Sequence, residues 1–361
     1  MLVFIISLLS CVALISLLRR IALRFGFVDH PGGRKIHEQP TPTVGGIAMF
    51  VAVLLALTVD HSLHGRIVIL LGCSAVLVAL GILDDKHGLP VRLRLLIQAL
   101  LATIVIVAAG GEVTHLGVEF GRDIPLGILA VPFSAIAFVG GINAINMIDG
   151  ADGMAGKMVL ISMLGVVVIF YIAGAPELPI ALAMIGTVLG FLLFNSRIFV
   201  KRAHVFMGDA GSMWLGLVLG WFMAKLTHHQ VSAAPALVLW LFGIPLMDTL
   251  TVMLRRVKQR RSPFDPDRTH IHHVFQDHGL SISFSVLMLG IVQLLLVGTG
   301  VIFYVVHAPD YVVFWSFVLL LSVYVYGMRT YGQTLRQLSM QQETSPAGSD
   351  FSETMEHLER G

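Results

Sequence analysis

The chain has 361 residues, 56% hydrophobic and only 13% charged, with a formal net charge of +2 and a mean hydropathy of +0.84. A soluble domain carries about 25% charged residues, so a freely soluble enzyme is excluded, and no nucleic-acid partner is expected. Apolar runs of the length that crosses a bilayer, roughly 20 residues each, recur from end to end.

In chain order these runs lie near 2–18, 44–59, 67–83, 93–109, 127–143, 158–174, 178–194, 211–226, 235–254, 284–306 and 311–327. They predict an all-α, polytopic integral membrane protein of about 11 transmembrane helices. Ten is the alternative count, because the run at 127–143 holds Pro132 and several glycines. The first run has no basic leader and no small-residue cleavage pattern, so it reads as a retained helix. Cys11 and Cys73 both fall inside apolar runs, which speaks against a disulfide framework. The loop at 110–126 is longer than its neighbours and has a partly extended character. Residues 1–331 read as one transmembrane domain, and 332–361 as a polar, disordered tail.

Charge sets the orientation. When alternate loops are assigned to opposite sides, 21 of the 24 Lys and Arg residues fall on one side, and Arg66, Arg122 and Lys225 on the other. The positive-inside rule makes the first side cytoplasmic, so the N-terminus lies outside and the C-terminus inside, which suits an odd number of spans.

Every dense polar cluster lies on that cytoplasmic side. HPGGRKIHEQPTPTVGG (30–46) is broken by prolines and glycines; Lys35 and His37 are candidate phosphate or nucleotide contacts in it. GILDDKHG (81–88) ends an apolar run with Asp84 and Asp85. Two adjacent carboxylates are costly in a bilayer, which suits an interfacial pair facing a cation. NAINMIDGADG (143–153) places Asn143, Asn146, Asp149 and Asp152 at intervals of three. Such a set suits Mg²⁺ and the hydroxyl or amide groups of a nucleotide sugar. VFMGDAGS (205–212) offers Asp209, a helix cap or a metal ligand, and Phe206, an interfacial ring or a base-stacking one.

SPFDPDRTHIHHVFQDHG (262–279) carries Arg268, His270, His272 and His273. Zinc is disfavoured, since no cysteine is near and the companion residues are hard oxygen donors that suit Mg²⁺ or Mn²⁺. Phosphate or pyrophosphate contact is the preferred reading. Carboxylates for a hard cation beside cations for phosphate describe phosphoryl transfer. The rivals are a transporter of a lipid-linked or nucleotide sugar and a non-catalytic scaffold. No GxxxxGK[ST] motif supports an NTP-driven pump, and the acids sit at helix ends, unlike those of an ion transporter.

The segments RKIHEQPTPTVGGI, GILDDKHG, NAINMIDGADG, KRAHVFMGDAGS, IPLMDT and SPFDPDRTHIHH, in this order, span about residues 20 to 280. Through them the chain resembles the polyprenyl-phosphate N-acetylhexosamine-1-phosphate transferases, most closely the bacterial WecA-type branch. Ile271 interrupts the three-histidine run of the branch that uses phospho-muramoyl-pentapeptide. The resemblance implies transfer of N-acetylglucosamine 1-phosphate from UDP-N-acetylglucosamine to undecaprenyl phosphate with release of UMP. This would be the first membrane step of a cell-surface polysaccharide such as O-antigen; another UDP-N-acetylhexosamine is the alternative donor. It further implies Mg²⁺, with Mn²⁺ as a second suitable ion, bound by Asp209 and Asp85. Asp84, Asp85, Asp149, Asp152 and His272 become the implied catalytic residues. Lys35, His37, Asn143, Asn146, Phe206, Arg268, His270 and His273 become the implied substrate contacts. A homodimer is compatible with the spans.

Overall fold

The structure is a computed structural model that describes residues 1–29, 39–119, 121–228, 230–263 and 270–343, with side chains through 330 apart from 119. Lys35, His37 and Arg268 lie outside the described residues. Helices dominate, as the apolar runs predict. In order they are α1 (Leu2–Phe25), α2 (Gly45–Val59), α3 (Arg66–His87), α4 (Val91–Ala109), α5 (Ala130–Ile148) and α6 (Met154–Ala173). Then follow α7 (Leu178–Asn195), α8 (Gly208–Leu226), α9 (Leu237–Lys258), α10 (Ile271–Asp277), α11 (Ile282–Val305) and α12 (Asp310–Glu343).

Two short antiparallel pairs complete the described elements: β1 (Val28–Asp29) with β2 (Thr41–Pro42), and β3 (His115–Glu119) with β4 (Arg122–Pro125). The second pair is the extended part of the 110–126 loop. Each of the eleven apolar runs falls on one of these helices, and α10 is the short extra one. Among the described residues, nine helices are long and apolar enough to cross a membrane. The protein is thus an all-α polytopic membrane protein. α2, with 15 residues, and α8, which carries Asp209 and Lys225 at its ends, fall short of those thresholds taken alone. α12 continues through 343, so the first part of the polar segment after 331 is helical. The chain divides into two units, Met1–Trp315 and Ser316–Gly361.

The centre of the first unit is α8. Nearly all its side chains are buried, including Trp214 and Trp221, against α2, α3 and α5. Phe50 of α2 meets Trp214 edge-on, with ring centroids 5.7 Å apart. This packing depends on glycine. A Cβ at Gly81 of α3 would fall on the backbone of Asp209 and Ala210, and one at Gly46 of α2 on Gly211 and Ala210. The helices therefore approach to backbone contact, as small residues allow in membranes. The first amides of α2, which have no partner within the helix, donate to the Phe206 and Met207 carbonyls at 3.0 Å each. That ties the start of α2 to the start of α8.

α9 is broken in mid-membrane. Gly243 adopts φ +46°, ψ −118°, outside helical space, and Pro245 follows. Stranded backbone groups in a bilayer cost several kcal/mol each unless they are partnered (about 1–3 kcal/mol by protein mutation). Gln293 of α11 supplies the partners: its Oε1 accepts from Ile244 N at 2.8 Å, and its Nε2 donates to Leu241 O at 3.0 Å. Ser162 Oγ of α6 donates to the same carbonyl at 2.8 Å. Gln293→Leu leaves the Ile244 amide unpaired and the Leu241 carbonyl with Ser162 alone. A stability loss of about 1–3 kcal/mol is expected, read as a lower thermal midpoint in detergent with helical content retained in the cold.

Candidate active site

One cavity of about 940 Å³ opens at the ends of α1, α3, α5, α8 and α10. Its wall holds Asp84, Asp85, Asn146, Asp149, Asp152, Phe206, Asp209 and His273. Clusters up to 189 positions apart in sequence thus meet in one place, counting from Asp84 to His273.

At its heart Asp209 opens α8. Its Oδ1 accepts from Asn146 Nδ2 at 2.6 Å, and the same amide nitrogen donates to Ser212 Oγ at 2.9 Å. The Asp209 amide, one of the orphan donors of a helix start, donates to Asp85 Oδ1 at 3.0 Å. Asp85 and Asp209 therefore stand side by side because α3 and α8 touch at Gly81. Asp149 caps α5 and is half-buried in the cavity wall. Burial, and then the negative charges of Asp209, Asp85 and Asp152, push its carboxyl up to about 7. Like charges held this close favour a cation among them.

The other two acids are tied into the scaffold. Asp84 forms an ion pair with Arg94 of α4 and accepts from the Leu89 amide at 2.7 Å, so both its oxygens are engaged at the α3–α4 turn. The same guanidinium stands 3.8 Å from Asp209 Oδ2. Asp152 accepts from Arg197 Nε at 2.7 Å and from the Ala203 amide at 3.3 Å. Between these loops, buried Asn195 accepts from Gly153 N at 2.7 Å and donates to Val205 O at 2.9 Å. One carboxamide thereby sets the 149–153 turn against the segment that carries Phe206.

Asn143 faces away from the cavity: it donates to Gln98 Oε1 at 2.7 Å and to the Val139 carbonyl at 2.8 Å. His270 is buried too. Its Nδ1 lies 2.6 Å from Asp248 Oδ2 of α9, and Asp248 Oδ1 accepts from the Ile271 amide at 3.0 Å. Asp248 thus docks the histidine-rich segment onto the lower half of the broken helix. His272 is only 1% exposed and presses on Gly150, where a Cβ would lie 2.7 Å from its Nε2. Neither of its ring nitrogens has a hydrogen-bond partner among the described residues. Burial, then the neighbouring His273, push it down to about 3, so it is neutral at working pH. Of the described histidines in this segment, His273 is the one that lines the cavity.

Among the described residues, no three His, Cys, Asp or Glu side chains converge closely enough to hold a metal unaided. A Mg²⁺ ion keeps several waters and uses one or two carboxylates plus substrate phosphates, and the Asp85 and Asp209 carboxylates, brought together where α3 meets α8, are compatible with such an ion.

The model of the family described as "Glycosyl transferase family 4" matches residues 67–227. An undecaprenyl-phosphate alpha-N-acetylglucosaminyl 1-phosphate transferase of Yersinia pestis is 33% identical over 327 residues, 89% of each chain. A protein of the same name from Escherichia coli K12 is 33% identical over 317 residues, 86% of each chain. A probable undecaprenyl-phosphate N-acetylglucosaminyl 1-phosphate transferase of Bacillus subtilis is 33% identical over 291 residues, covering 79% of this chain and 80% of the relative. The chain belongs to glycosyl transferase family 4.

The family match runs from α3 to the end of α8, so it contains every acid of the cavity discussed above and omits the histidine segment. Within this family member, sequence reasoning missed Arg94, Asn195, Arg197 and Asp248 as the groups that position the site. Asp248 had a signal, an acid within an apolar helix at IPLMDT. Asn195 had a weaker one, a carboxamide at the last turn of an apolar run.

Two tests follow from this geometry. Asn195→Ala should lower turnover by about 10- to 100-fold, since it removes two hydrogen bonds of roughly 1 kcal/mol each that set the loop positions, while circular dichroism stays unchanged. The second concerns His272. Its folded form stays neutral to about pH 3, whereas the unfolded chain takes up a proton near pH 6.5. Stability therefore falls as pH drops through that window, by at most about 1.4 kcal/mol per pH unit from this one group. Denaturant midpoints across pH 4–7 should show a shallower slope in His272→Gln.

Proposed function

We propose that the protein transfers N-acetylglucosamine 1-phosphate from UDP-N-acetylglucosamine to undecaprenyl phosphate at the cytoplasmic face of a bacterial inner membrane. The product, undecaprenyl-diphospho-N-acetylglucosamine, would begin a cell-surface polysaccharide such as O-antigen. The observation that carries this reading is the convergence of Asp85, Asn146, Asp149, Phe206, Asp209 and His273 on one cavity at the ends of apolar helices. The names of relatives that align over most of the chain support the substrate pair. The 21-to-3 division of Lys and Arg supports the cytoplasmic face.

In this reading an oxygen of the acceptor phosphate attacks the β-phosphorus of the donor. A new P–O bond forms, the old anhydride bond breaks, and UMP leaves with the electron pair. One anhydride replaces another, so the reaction is near balance and reversible. The chain's work is positioning and charge neutralisation. Asp85 and Asp209 would hold a divalent ion, Mg²⁺ or Mn²⁺, which when bound would supply positive charge for the diphosphate. Asn146 keeps Asp209 in one rotamer. Asp149, its carboxyl pushed up to about 7 by burial and by the neighbouring acids, would be more fully ionised beside such a cation. Phe206 offers a ring face for the uracil, and His273 a donor for phosphate or sugar. Asp84 and Asp152, committed to Arg94 and Arg197, act through the loops they hold. Lys35, His37 and Arg268 retain their proposed phosphate roles.

The deciding assay is UMP release by purified protein with undecaprenyl phosphate, UDP-N-acetylglucosamine and Mg²⁺, with and without EDTA. Lipid-dependent, EDTA-sensitive UMP is expected, and Asp209→Asn should lower it by about 10²-fold or more. UMP from a different UDP-N-acetylhexosamine alone would change the donor. Folded protein that releases no UMP from any donor would overturn the transferase reading in favour of transport.

A further inference from the structure

The cavity wall contains two Lys or Arg side chains among the described residues, Lys86 and Arg197. Arg197 is committed to Asp152. Lys86 has no carboxylate within ion-pair distance among the described residues, although Asp85 is its neighbour in sequence. A cavity rich in acids thus keeps one uncommitted ammonium, on the exposed last turn of α3.

Where Lys86 stands along α3 matters as much. One side of α3 is buried against α4 and α8, while on the other Val76 and Leu83 are 51% and 50% exposed. They are seven residues apart, two helical turns, and so lie on one face. Leu83 and Lys86 are three apart and share that face as well. The lipid-facing stripe of α3 therefore runs straight up to an ammonium that also lines the cavity. A water-soluble nucleotide sugar has no use for such a stripe. An amphiphile with a phosphate head and an isoprenoid chain matches both parts: the head reaches the cavity while the chain stays in the bilayer.

We infer that Lys86 Nζ binds the phosphate of the lipid acceptor, whose first isoprene units lie along Leu83 and Val76. This rests on the transferase reading above and adds to it the acceptor's binding residue and its route of entry. Lys at this position serves as a point charge for phosphate. On the last turn of α3 it also stands at the end of the helix dipole that favours a cation.

The test uses the full chain in nanodiscs. Lys86→Ala should raise KM for undecaprenyl phosphate about 10- to 100-fold, the worth of one charged hydrogen bond, and leave KM for UDP-N-acetylglucosamine within about twofold. Lys86→Arg should recover most of the loss. Leu83→Ala should weaken the acceptor alone, by a few-fold. A KM rise confined to the nucleotide sugar would assign Lys86 to the donor diphosphate and overturn the inference; so would an unchanged KM for the lipid. If wild-type protein releases no UMP, native mass spectrometry of undecaprenyl phosphate adducts still decides. Fewer adducts on Lys86→Ala than on wild type support the lipid contact, and equal adducts refute it.

Discussion

The site exists because α8 comes into backbone contact with α2 and α3. Gly46 and Gly81 admit the Asp209–Gly211 backbone where any side chain would hold it away. Once that contact is made, the Asp209 amide falls onto Asp85 and the Phe206–Met207 carbonyls fall onto the first amides of α2. Three helix ends are then fixed with respect to each other by hydrogen bonds that each needed a partner in any case. In a bilayer, where apolar surface gives helices little reason to prefer one neighbour, close packing of this kind is the main source of specificity.

On that frame the acids divide by partner. Asp84 and Asp152 each meet an arginine and a backbone amide, which satisfies them as structural ion pairs do. Among the described residues, Asp85 and Asp209 are held by amides, with an arginine 3.8 Å from Asp209 and the Asp84 carboxyl beside it, and Asp149 stands at the end of α5. In the proposed reading their negative charge is available to a cation, while the surrounding pairs fix the walls around it. The same division explains the histidines. His270 is spent on Asp248 and His272 on packing against Gly150, which leaves His273 facing the cavity.

Much of this was legible in the sequence, for identifiable reasons. Membrane helices announce themselves by composition, so each of the eleven runs from 2–18 to 311–327 falls on a helix. Ionised groups at the ends of such runs are costly, so Asp85, Asp149 and Asp209 stood out before any geometry. What stayed hidden was commitment. Asp84 and Asp85 are adjacent and chemically identical. Only the turn at Leu89–Pro90, which swings Arg94 back, makes one structural and the other open. The threefold spacing of Asn143, Asn146, Asp149 and Asp152 suggested one shared role. The helix instead ends at Ile148, so Asn143 bonds Gln98 while Asp152 turns to Arg197. The break in α9 at Gly243 was not read from the sequence, and nothing local to Pro245 names Gln293, 48 residues later, as the group that makes it tolerable.

The enclosure of α8 has a consequence for how the chain is made. With Asp209 near one end, Lys225 near the other and few lipid-facing side chains, α8 is a poor candidate to partition into lipid alone. Its partners α2, α3 and α5 all precede it in the chain. During synthesis from the N-terminus they are already in place when α8 emerges, so it can enter the membrane against protein. The order of helices along the gene thus doubles as an assembly schedule. The segment that bears Asp209 arrives after the three helices that enclose most of it.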